Sequence, residues 1–328
     1  MELGIFAKTF PRPTLEETLD AVVSHGLTQI QFNMSCMGLA TLPDKLDEGS
    51  CVWIAQTLHE RGLSMAAISG TFNMVDPNAS RLEHNLRRLE VLAEACRWLD
   101  TRVITLCTGS LDPHDMWKWH PESARKSTWE RLVETMRTAV AIADRHEVTL
   151  AFEPEINNVV SSVMRARRLL DEIGSPWLKV VIDPANLFHS GDLGRLHEVL
   201  GEAILAVPRP GGRFRKTGRL TEILDEAFDW VGADIVLAHA KNPTGIEEMR
   251  AGVLQHFPAE VLEMFGTERG EEELRALTWR QFYEPYLAGL KNAGFQGALI
   301  IHGLGEDEVA TRTSFLREML AWLDPKQD

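Results

Sequence analysis

The sequence predicts an α/β fold in which one (β/α)8 barrel occupies the whole chain, residues 1–328. Eight short apolar runs recur along it, and helical patterns separate nearly all of them. Eight β/α units in order predict a parallel sheet, which right-handed crossovers close into a barrel. The competing open, doubly wound sheet would carry a G-x-G-x-x-G turn after an early strand, and the first strand leads into AKTFPRP instead.

The eight apolar runs are rich in Ile, Val, Leu and Ala and show no strict polar alternation. This composition is typical of parallel strands that are buried on both faces. The predicted strands are LGIFA (3–7), TQIQF (28–32), LSMAAI (63–68), RVITLC (102–107), VTLAF (148–152), LKVVI (178–182), DIVLAH (234–239) and GALIIH (297–302).

The helical segments carry start and stop signals as well as apolar stripes. Thr14 and Glu17 form a capping-box pattern at the start of TLEETLDAVVSHG, and Gly26 ends that segment. Later helices are predicted at 80–99, 122–145, 161–174, 220–232, 279–294 and 313–323.

Two segments exceed what a minimal barrel needs, and neither reads as a separate domain. Residues 202–219, between strands six and seven, form a basic insertion. A basic run of this kind is usually a solvated loop, so no phosphate site is predicted there. Residues 243–278, between strands seven and eight, have the pattern of an extra helical lid.

Composition limits the partners and the compartment of the protein. A formal net charge of -14 would repel nucleic acid. No apolar run approaches the roughly 20 residues of a membrane span. The start, MELGIFAKTF, lacks the basic and long apolar regions of a signal peptide. The four cysteines form no C-x-x-C pair, as expected for reduced thiols. We therefore expect a cytoplasmic protein without nucleic-acid or membrane partners.

Strands five to eight each end in a residue that can bind a metal ion: Glu153, Asp183, His239 and His302. Catalytic groups of such barrels lie at the C-terminal ends of the strands. Each residue alone is more often a hydrogen-bonded core residue or a turn cap. Burying all four without a cation would cost on the order of several kcal/mol in desolvation and repulsion. Together they predict a site for one divalent ion.

Two further side chains should lie beside that ion. Glu155 and Lys241 each follow a predicted ligand by two residues, and residues two apart on a strand point the same way. A carboxylate there suits proton abstraction next to a carbonyl, and a lysine could polarise an oxygen. The alternative is that the two residues form salt bridges, with each other or with other charged groups, or that Glu155 is a turn carboxylate.

Several motifs give the chain a resemblance to a known family: LGIFAKTFPRPTLEETLDAV, ISGTFNMVDP, ITLCTGS, FEPE, VVIDPANLF, LAHAKN and LIIHGLGE. Through them, over nearly its whole length, it resembles the xylose isomerase-like TIM-barrel superfamily, the sugar phosphate isomerase/epimerase group. The resemblance implies one divalent ion, Mn²⁺ first, with Mg²⁺, Zn²⁺, Co²⁺ or Fe²⁺ as alternatives. The family ligands Glu, Asp and His match Glu153, Asp183 and His239. His302 stands where a second Glu is common, and Glu306 could supply a carboxylate.

Further residues at the barrel mouth are candidate contacts for a small carbohydrate substrate. They are Lys8, Asn73, Thr108, Trp117, His120, Asn186, His189 and Glu306. A Trp beside polar groups is a common platform for a sugar ring, although loop packing is the commoner role for a single Trp. Asn186 stands where several relatives carry a metal- or substrate-linked His, and His189 could compensate for its absence.

The resemblance implies a metal-dependent isomerase or epimerase that abstracts a proton next to a polarised carbonyl of a sugar. In the ketose 3-epimerases of the superfamily, both metal-binding glutamates also move the proton, which His302 cannot do in the same way. A lyase or dehydratase acting on a keto-sugar or keto-inositol is therefore the alternative. An apurinic-site endonuclease would need more ligands and a DNA-binding face, and a non-catalytic binding protein would need no metal. Because related barrels often pair, a homodimer is possible.

Overall fold

Eight parallel strands form a closed barrel in this computed structural model, which describes residues 1–187, 218–241 and 268–323. Each strand pairs with the next in sequence, and the eighth pairs with the first, so the predicted (β/α)8 barrel is confirmed. The strands are β1 (Glu2–Phe6), β2 (Gln29–Phe32), β3 (Ser64–Ser69), β4 (Val103–Cys107), β5 (Thr149–Glu153), β6 (Leu178–Ile182), β7 (Ile235–Ala240) and β8 (Ala298–Ile301).

Helices surround the barrel, and the capping box predicted at the start of the first helix forms. The described α-helices are α1 (Leu15–Ser24), α2 (Glu48–His59), α3 (Ala79–Ala95), α4 (Lys126–His146), α5 (Val163–Ile173), α6 (Gly218–Val231), α7 (Glu268–Asn292) and α8 (Glu306–Leu323). Thr14 Oγ1 accepts a hydrogen bond from the Glu17 N–H at 3.2 Å, and Glu17 Oε2 accepts one from the Thr14 N–H at 3.2 Å. The capping box is therefore confirmed.

Three helices differ from the sequence prediction, and one of them, α8, begins at Glu306 instead of residue 313. Helix α2 was not predicted, although Asp47 caps its start by accepting from the Ser50 N–H at 2.9 Å. Helix α7 begins at Glu268, so residues 268–278 belong to the helix before β8 and not to the inserted lid. The remaining parts of both predicted insertions, 202–217 and 243–267, lie outside the described residues, as does His189.

The interior of the barrel is built in two layers. The lower layer is a closed apolar floor made of Ala67, Ala151, Val181, Leu237, Ala298 and Ile300. The upper layer holds polar and titratable groups, because residues two apart point to the same side of a strand. Two residues beyond a floor residue lie Ser69, Glu153, Asp183, His239 and His302. The larger apolar core lies between the strands and the surrounding helices. The alternation of the strands thus separates the residues that hold the barrel together from those that face its mouth.

Helix α7 also fixes the backbone beneath the mouth. The hydroxyl of Tyr286 is fully buried, 2.9 Å from the carbonyl oxygen of His239 and 3.2 Å from that of Ile182. It therefore connects α7 with the ends of β6 and β7. In the described ranges, no helix has both the length and the apolar composition that a membrane crossing requires.

Candidate metal centre

The ends of β5, β6, β7 and β8 bring four predicted residues together at one end of the barrel. Asp183 Oδ2 lies 3.0 Å from His302 Nε2 and 3.6 Å from His239 Nδ1. Glu153 Oε2 lies 3.5 Å from the same His239 nitrogen. The two imidazole rings are 4.3 Å apart between centroids. Two carboxylates and two imidazoles therefore converge on one buried point.

This arrangement fits a divalent ion. One ligand atom from each of Asp183, His239 and His302 lies within 4.8 Å of the others. The buried Nδ1 of His239 has no hydrogen-bond partner in the described part of the chain, although two carboxylates face it. Leaving such an atom unpaired costs free energy. Carboxylate and imidazole ligands suit Mn²⁺, Zn²⁺ and Fe²⁺, and a cation between them would satisfy that nitrogen.

Gln31, a residue that the sequence analysis missed, orients the His239 ring. His239 Nε2 lies 2.9 Å from Gln31 Oε1. The amide nitrogen of Gln31 donates to Ser69 Oγ at 3.1 Å and to Thr105 Oγ1 at 3.2 Å. Its oxygen is therefore turned towards His239 as an acceptor for the Nε2–H, and Nδ1 is left to face the carboxylates. The sequence offered one signal for this role: Gln31 is a polar residue within the buried run TQIQF.

In each of the carboxylates of Glu153 and Asp183, one oxygen accepts a hydrogen bond that fixes the group. Asn186 Nδ2 donates to Glu153 Oε1 at 2.7 Å, and the Ala185 N–H donates to Asp183 Oδ1 at 2.8 Å. The other oxygen of each carboxylate faces His239. The sequence D-P-A-N forms a short turn after β6, so Asp183 and Asn186 come from one local structure.

The electrostatics of the cluster favour a positive charge near His239 Nδ1. Burial lowers the pKa of His239, but the charges of Glu153 and Asp183 outweigh this and raise it to about 9. Burial would raise the pKa of Asp183, yet contacts with His239 and His302 hold it well below its ordinary value. Burial and the neighbouring His239 lower the pKa of His302. A proton or a metal ion can supply the positive charge that the two carboxylates attract.

Glu155 and Lys241 line the same cavity of about 520 Å³ as Glu153, His239 and His302. Glu155 Oε2 accepts hydrogen bonds from the Asn157 N–H at 3.1 Å and from Asn158 Nδ2 at 3.3 Å. Among the described residues no ion pair joins Glu155 to Lys241.

The environment makes Glu155 a stronger base than an exposed glutamate. Burial raises the pKa of its carboxyl; the Asn157 N–H opposes this effect, and the charge of Glu153 adds to it. Lys241 lies close enough for its charge to lower the same pKa. A carboxylate with a raised pKa holds an abstracted proton more readily than an exposed glutamate does.

Some of the other predicted substrate contacts line the cavity of the cluster, and others are engaged elsewhere in the fold. Lys8, Trp117 and Asn186 line the cavity of the cluster. Asn73 and Thr108 are buried and engaged by the fold: Asn73 Nδ2 donates to the Ser110 carbonyl at 2.7 Å, and Thr108 Oγ1 accepts from the Val160 N–H at 3.0 Å.

Two more predicted contacts lie outside the cavity of the cluster. His120 Nδ1 accepts from the Glu122 N–H at 3.3 Å and caps the short turn Pro121–Ala124. Glu306 stands at the start of α8 and forms an ion pair with Arg12, with one hydrogen bond of 2.9 Å. Its carboxylate is engaged with Arg12 and does not line the cavity of the cluster, whereas His302, the other candidate for the fourth ligand, does.

Comparisons with known proteins agree with this architecture. A family described as xylose isomerase-like TIM barrel matches residues 19–325. No curated protein sequence matches the chain. Among solved structures, 3-keto-D-glucoside 4-epimerase from E. coli has a TM-score of 0.59 at 14% identity and covers 98% of each chain.

Two further solved structures are similar in extent. D-psicose 3-epimerase has a TM-score of 0.59 at 12% identity, covering 99% of this chain and 98% of its own. A probable 3-DHS dehydratase from Bacillus anthracis has a TM-score of 0.60 at 14% identity, covering 97% and 99%. At these identities the likeness shows the fold.

Proposed function

The chain belongs to the xylose isomerase-like TIM barrel family, and from that premise we propose that it is a divalent-metal-dependent isomerase or epimerase of a sugar or sugar derivative. The observation that carries the proposal is the convergence of Asp183, His239 and His302 beside Glu153, with an unpaired ring nitrogen facing two carboxylates. The names of two similar structures, 3-keto-D-glucoside 4-epimerase and D-psicose 3-epimerase, support the substrate class.

Glu153, Asp183, His239 and His302 would hold the ion, for which we propose Mn²⁺. When bound, such an ion polarises a sugar carbonyl and its neighbouring hydroxyl and acidifies the adjacent C–H. Gln31 keeps the His239 ring in the orientation that leaves Nδ1 available. The buried cluster excludes most solvent, which strengthens every charge interaction in it.

Glu155 removes the proton from the carbon next to the carbonyl in this proposal. Burial raises the pKa of its carboxyl, which makes Glu155 a stronger base than an exposed glutamate. Asn157 and Asn158 hold one of its oxygens, so the carboxylate keeps a fixed direction. Lys241 and Lys8, which line the same cavity, bind oxygens of the substrate and keep the carbonyl in place.

Metal analysis and isotope exchange test the proposal. Purified protein should contain about one divalent ion per chain, and a chelator should abolish the turnover of a panel of keto-sugars until Mn²⁺ is restored. In D₂O, NMR should show deuterium entering the carbon next to the carbonyl. Glu155→Gln should lower this exchange by about 10²–10⁴-fold while the protein keeps its metal, because a positioned base contributes about that much.

Glu306→Gln is the matched control. It removes a carboxylate at the barrel mouth that is engaged with Arg12 and does not line the cavity. We expect exchange within about twofold of the wild type. Equal losses in both variants, or a purified protein that binds no divalent ion, would count against the proposal.

Elimination is the second candidate reaction. It is favoured because His302 stands where related epimerases commonly carry a second glutamate. Among the described residues that line the cavity, the carboxylates are Glu153 and Glu155. If Glu153 acts as a ligand alone and does not also transfer a proton, Glu155 is the one carboxylate left to do so among these described cavity residues. Elimination needs one base and a leaving group, whereas epimerisation needs the proton to return on the opposite face. Product analysis separates the two, because elimination from a keto-sugar creates an enone that absorbs in the ultraviolet.

A further inference from the structure

A second cavity adjoins the one that holds the cluster. It measures about 560 Å³, compared with about 520 Å³ for the inner one. Four residues line both cavities: Thr41, Thr71, Met116 and Trp117. Each volume lies within the ~300–1,000 Å³ of small-molecule sites. The mouth of the barrel is thus one cleft with an inner and an outer compartment.

The arginines of the outer compartment are already neutralised. Arg81 donates to both oxygens of Asp76, one of these bonds being 2.7 Å long, and to the Pro113 carbonyl at 3.3 Å. Arg88 donates to the two oxygens of Asp44 at 2.7 and 2.9 Å. Because each guanidinium has a carboxylate partner, the compartment does not present the unpaired positive charge that a phosphate would need. The remaining N–H groups can still donate to hydroxyls.

Asn85 supplies an unused polar group in the same compartment. It lies on α3 between the two arginines in sequence and lines the outer cavity. Its carboxamide makes no hydrogen bond with the described part of the chain. A carboxamide both donates and accepts, which matches the two-way hydrogen bonding of a sugar hydroxyl.

Trp117 offers a flat apolar surface where the two compartments meet. Its side chain is 43% exposed. The loop that carries it is held in place, since the Trp117 N–H donates to Asp115 Oδ1 at 2.9 Å and Asn158 Nδ2 donates to the Met116 carbonyl at 3.2 Å. Indole faces pack well against the C–H faces of sugar rings. A neutral polyol therefore fits this compartment better than an anion does.

We propose that the outer compartment is a second carbohydrate subsite, so that the substrate is a glycoside or disaccharide. The reacting keto-sugar lies at the cluster, and the second sugar unit lies between Asn85 and Trp117. This inference rests on the proposed function, because that function places the reacting unit in the inner compartment.

Ligand binding tests the subsite without any need for turnover. The full-length, Mn²⁺-loaded protein is titrated by NMR with D-glucose, with maltose, cellobiose, trehalose and sucrose, and with glucose 1-phosphate. We expect at least one disaccharide to bind about tenfold or more tightly than D-glucose. In Asn85→Leu this ratio should fall to about threefold or less, and Asn85→Ala serves as a second variant at the same half-buried position.

Trp119→Ala is the matched control, because Trp119 is 56% exposed on the same loop and lines neither compartment. It should keep the wild-type ratio. Equal binding of D-glucose and every disaccharide, or tighter binding of glucose 1-phosphate than of any disaccharide, overturns the inference. A disaccharide preference that both Asn85 variants retain also overturns it.

The two proposals fail in different ways. Metal-dependent turnover of free keto-sugars without a disaccharide preference would overturn the subsite and leave the proposed reaction intact. A disaccharide preference that depends on Asn85, without turnover of any keto-sugar or keto-glycoside, would support the subsite and count against the reaction.

Discussion

At the residue scale, the hydrogen bond between Gln31 and His239 determines which ring nitrogen faces the carboxylates. The Gln31 amide is itself fixed by two hydroxyls, on β3 and β4, so the orientation is set from three strands. Groups that orient a ligand histidine usually matter for metal affinity nearly as much as the ligand does. The buried polar network around Gln31 is therefore part of the proposed metal site.

Gln31→Leu should weaken Mn²⁺ binding by about 10–100-fold, the usual loss when an outer partner of a metal ligand is removed. The leucine keeps the approximate volume but leaves His239 Nε2 without its acceptor. Competition with a fluorescent chelator measures the affinity. Gln29→Leu is the control, since Gln29 lies on the same strand but bonds to Glu2 at the other end of the barrel. Equal affinities of Gln31→Leu and wild type would contradict the role given to Gln31.

The sequence indicated the cluster because topology alone brings the ends of neighbouring strands together. It could not show which polar side chains near a strand end are already engaged in loops. Thr108 and His120 satisfy backbone N–H groups of neighbouring loops, and Glu306 pairs with a distant arginine. These contacts join residues that are far apart in sequence or depend on the loop conformation. Periodicity and spacing contain neither kind of information.

At the element scale, Tyr286 couples helix α7 to the strands of the site. Its hydroxyl lies on the carbonyls of His239 and Ile182, which belong to β7 and β6. Movement of α7 would therefore shift the residue that precedes Asp183 and the backbone of His239 itself. The helix is a support for the site as well as part of the outer ring.

Tyr286→Phe should lower the free energy of unfolding by about 1–3 kcal/mol, because buried carbonyls lose a donor. It should also weaken Mn²⁺ binding. Urea unfolding and chelator competition give the two values. Tyr283→Phe is the comparison: Tyr283 is equally buried on α7 but accepts from Arg312. It should lose stability without losing metal affinity, and the same loss of affinity in both variants would refute the coupling.

The strands were predictable to within about one residue because runs buried on both faces are continuous in sequence. Helix α2 was missed although Cys51, Ile54, Ala55 and Leu58 are buried at helical spacing. The exposed Trp53 interrupts that pattern and its side chain is 39% exposed. The start of α7, ERGEEELRALT, contains too few apolar residues to show which face packs on the barrel.

At the scale of the whole molecule, the cysteines report on the packing of the core. Cys51, Cys96 and Cys107 are buried, and Cys36 is half-buried. Burial raises the pKa of Cys51 to about 11 and that of Cys96 to about 12. In the unfolded chain these thiols ionise from about 9. The unfolded state therefore loses protons first, and the free energy of unfolding should fall as pH rises from about 9 towards 12.

Thiol labelling at pH 8 should show one fast thiol, Cys36, and three that react only as fast as the protein unfolds. A disulfide reagent followed by absorbance gives the count, and unfolding in guanidinium gives the total of four. Cys36→Ser should remove the fast phase. A second thiol reacting at the fast rate in the native protein would show that the core is more open than described.

The apolar floor of the barrel determines the order in which an ion and a sugar can bind and leave. Ala67, Ala151, Val181 and Ile300 are fully buried beneath the cluster, so the mouth is the entrance that the described residues leave to it. An ion held by Asp183, His239 and His302 would lie deeper in the barrel than a sugar bound at the mouth. The ion would then bind before the sugar and leave after it. A bound sugar should therefore slow the removal of the ion by a chelator.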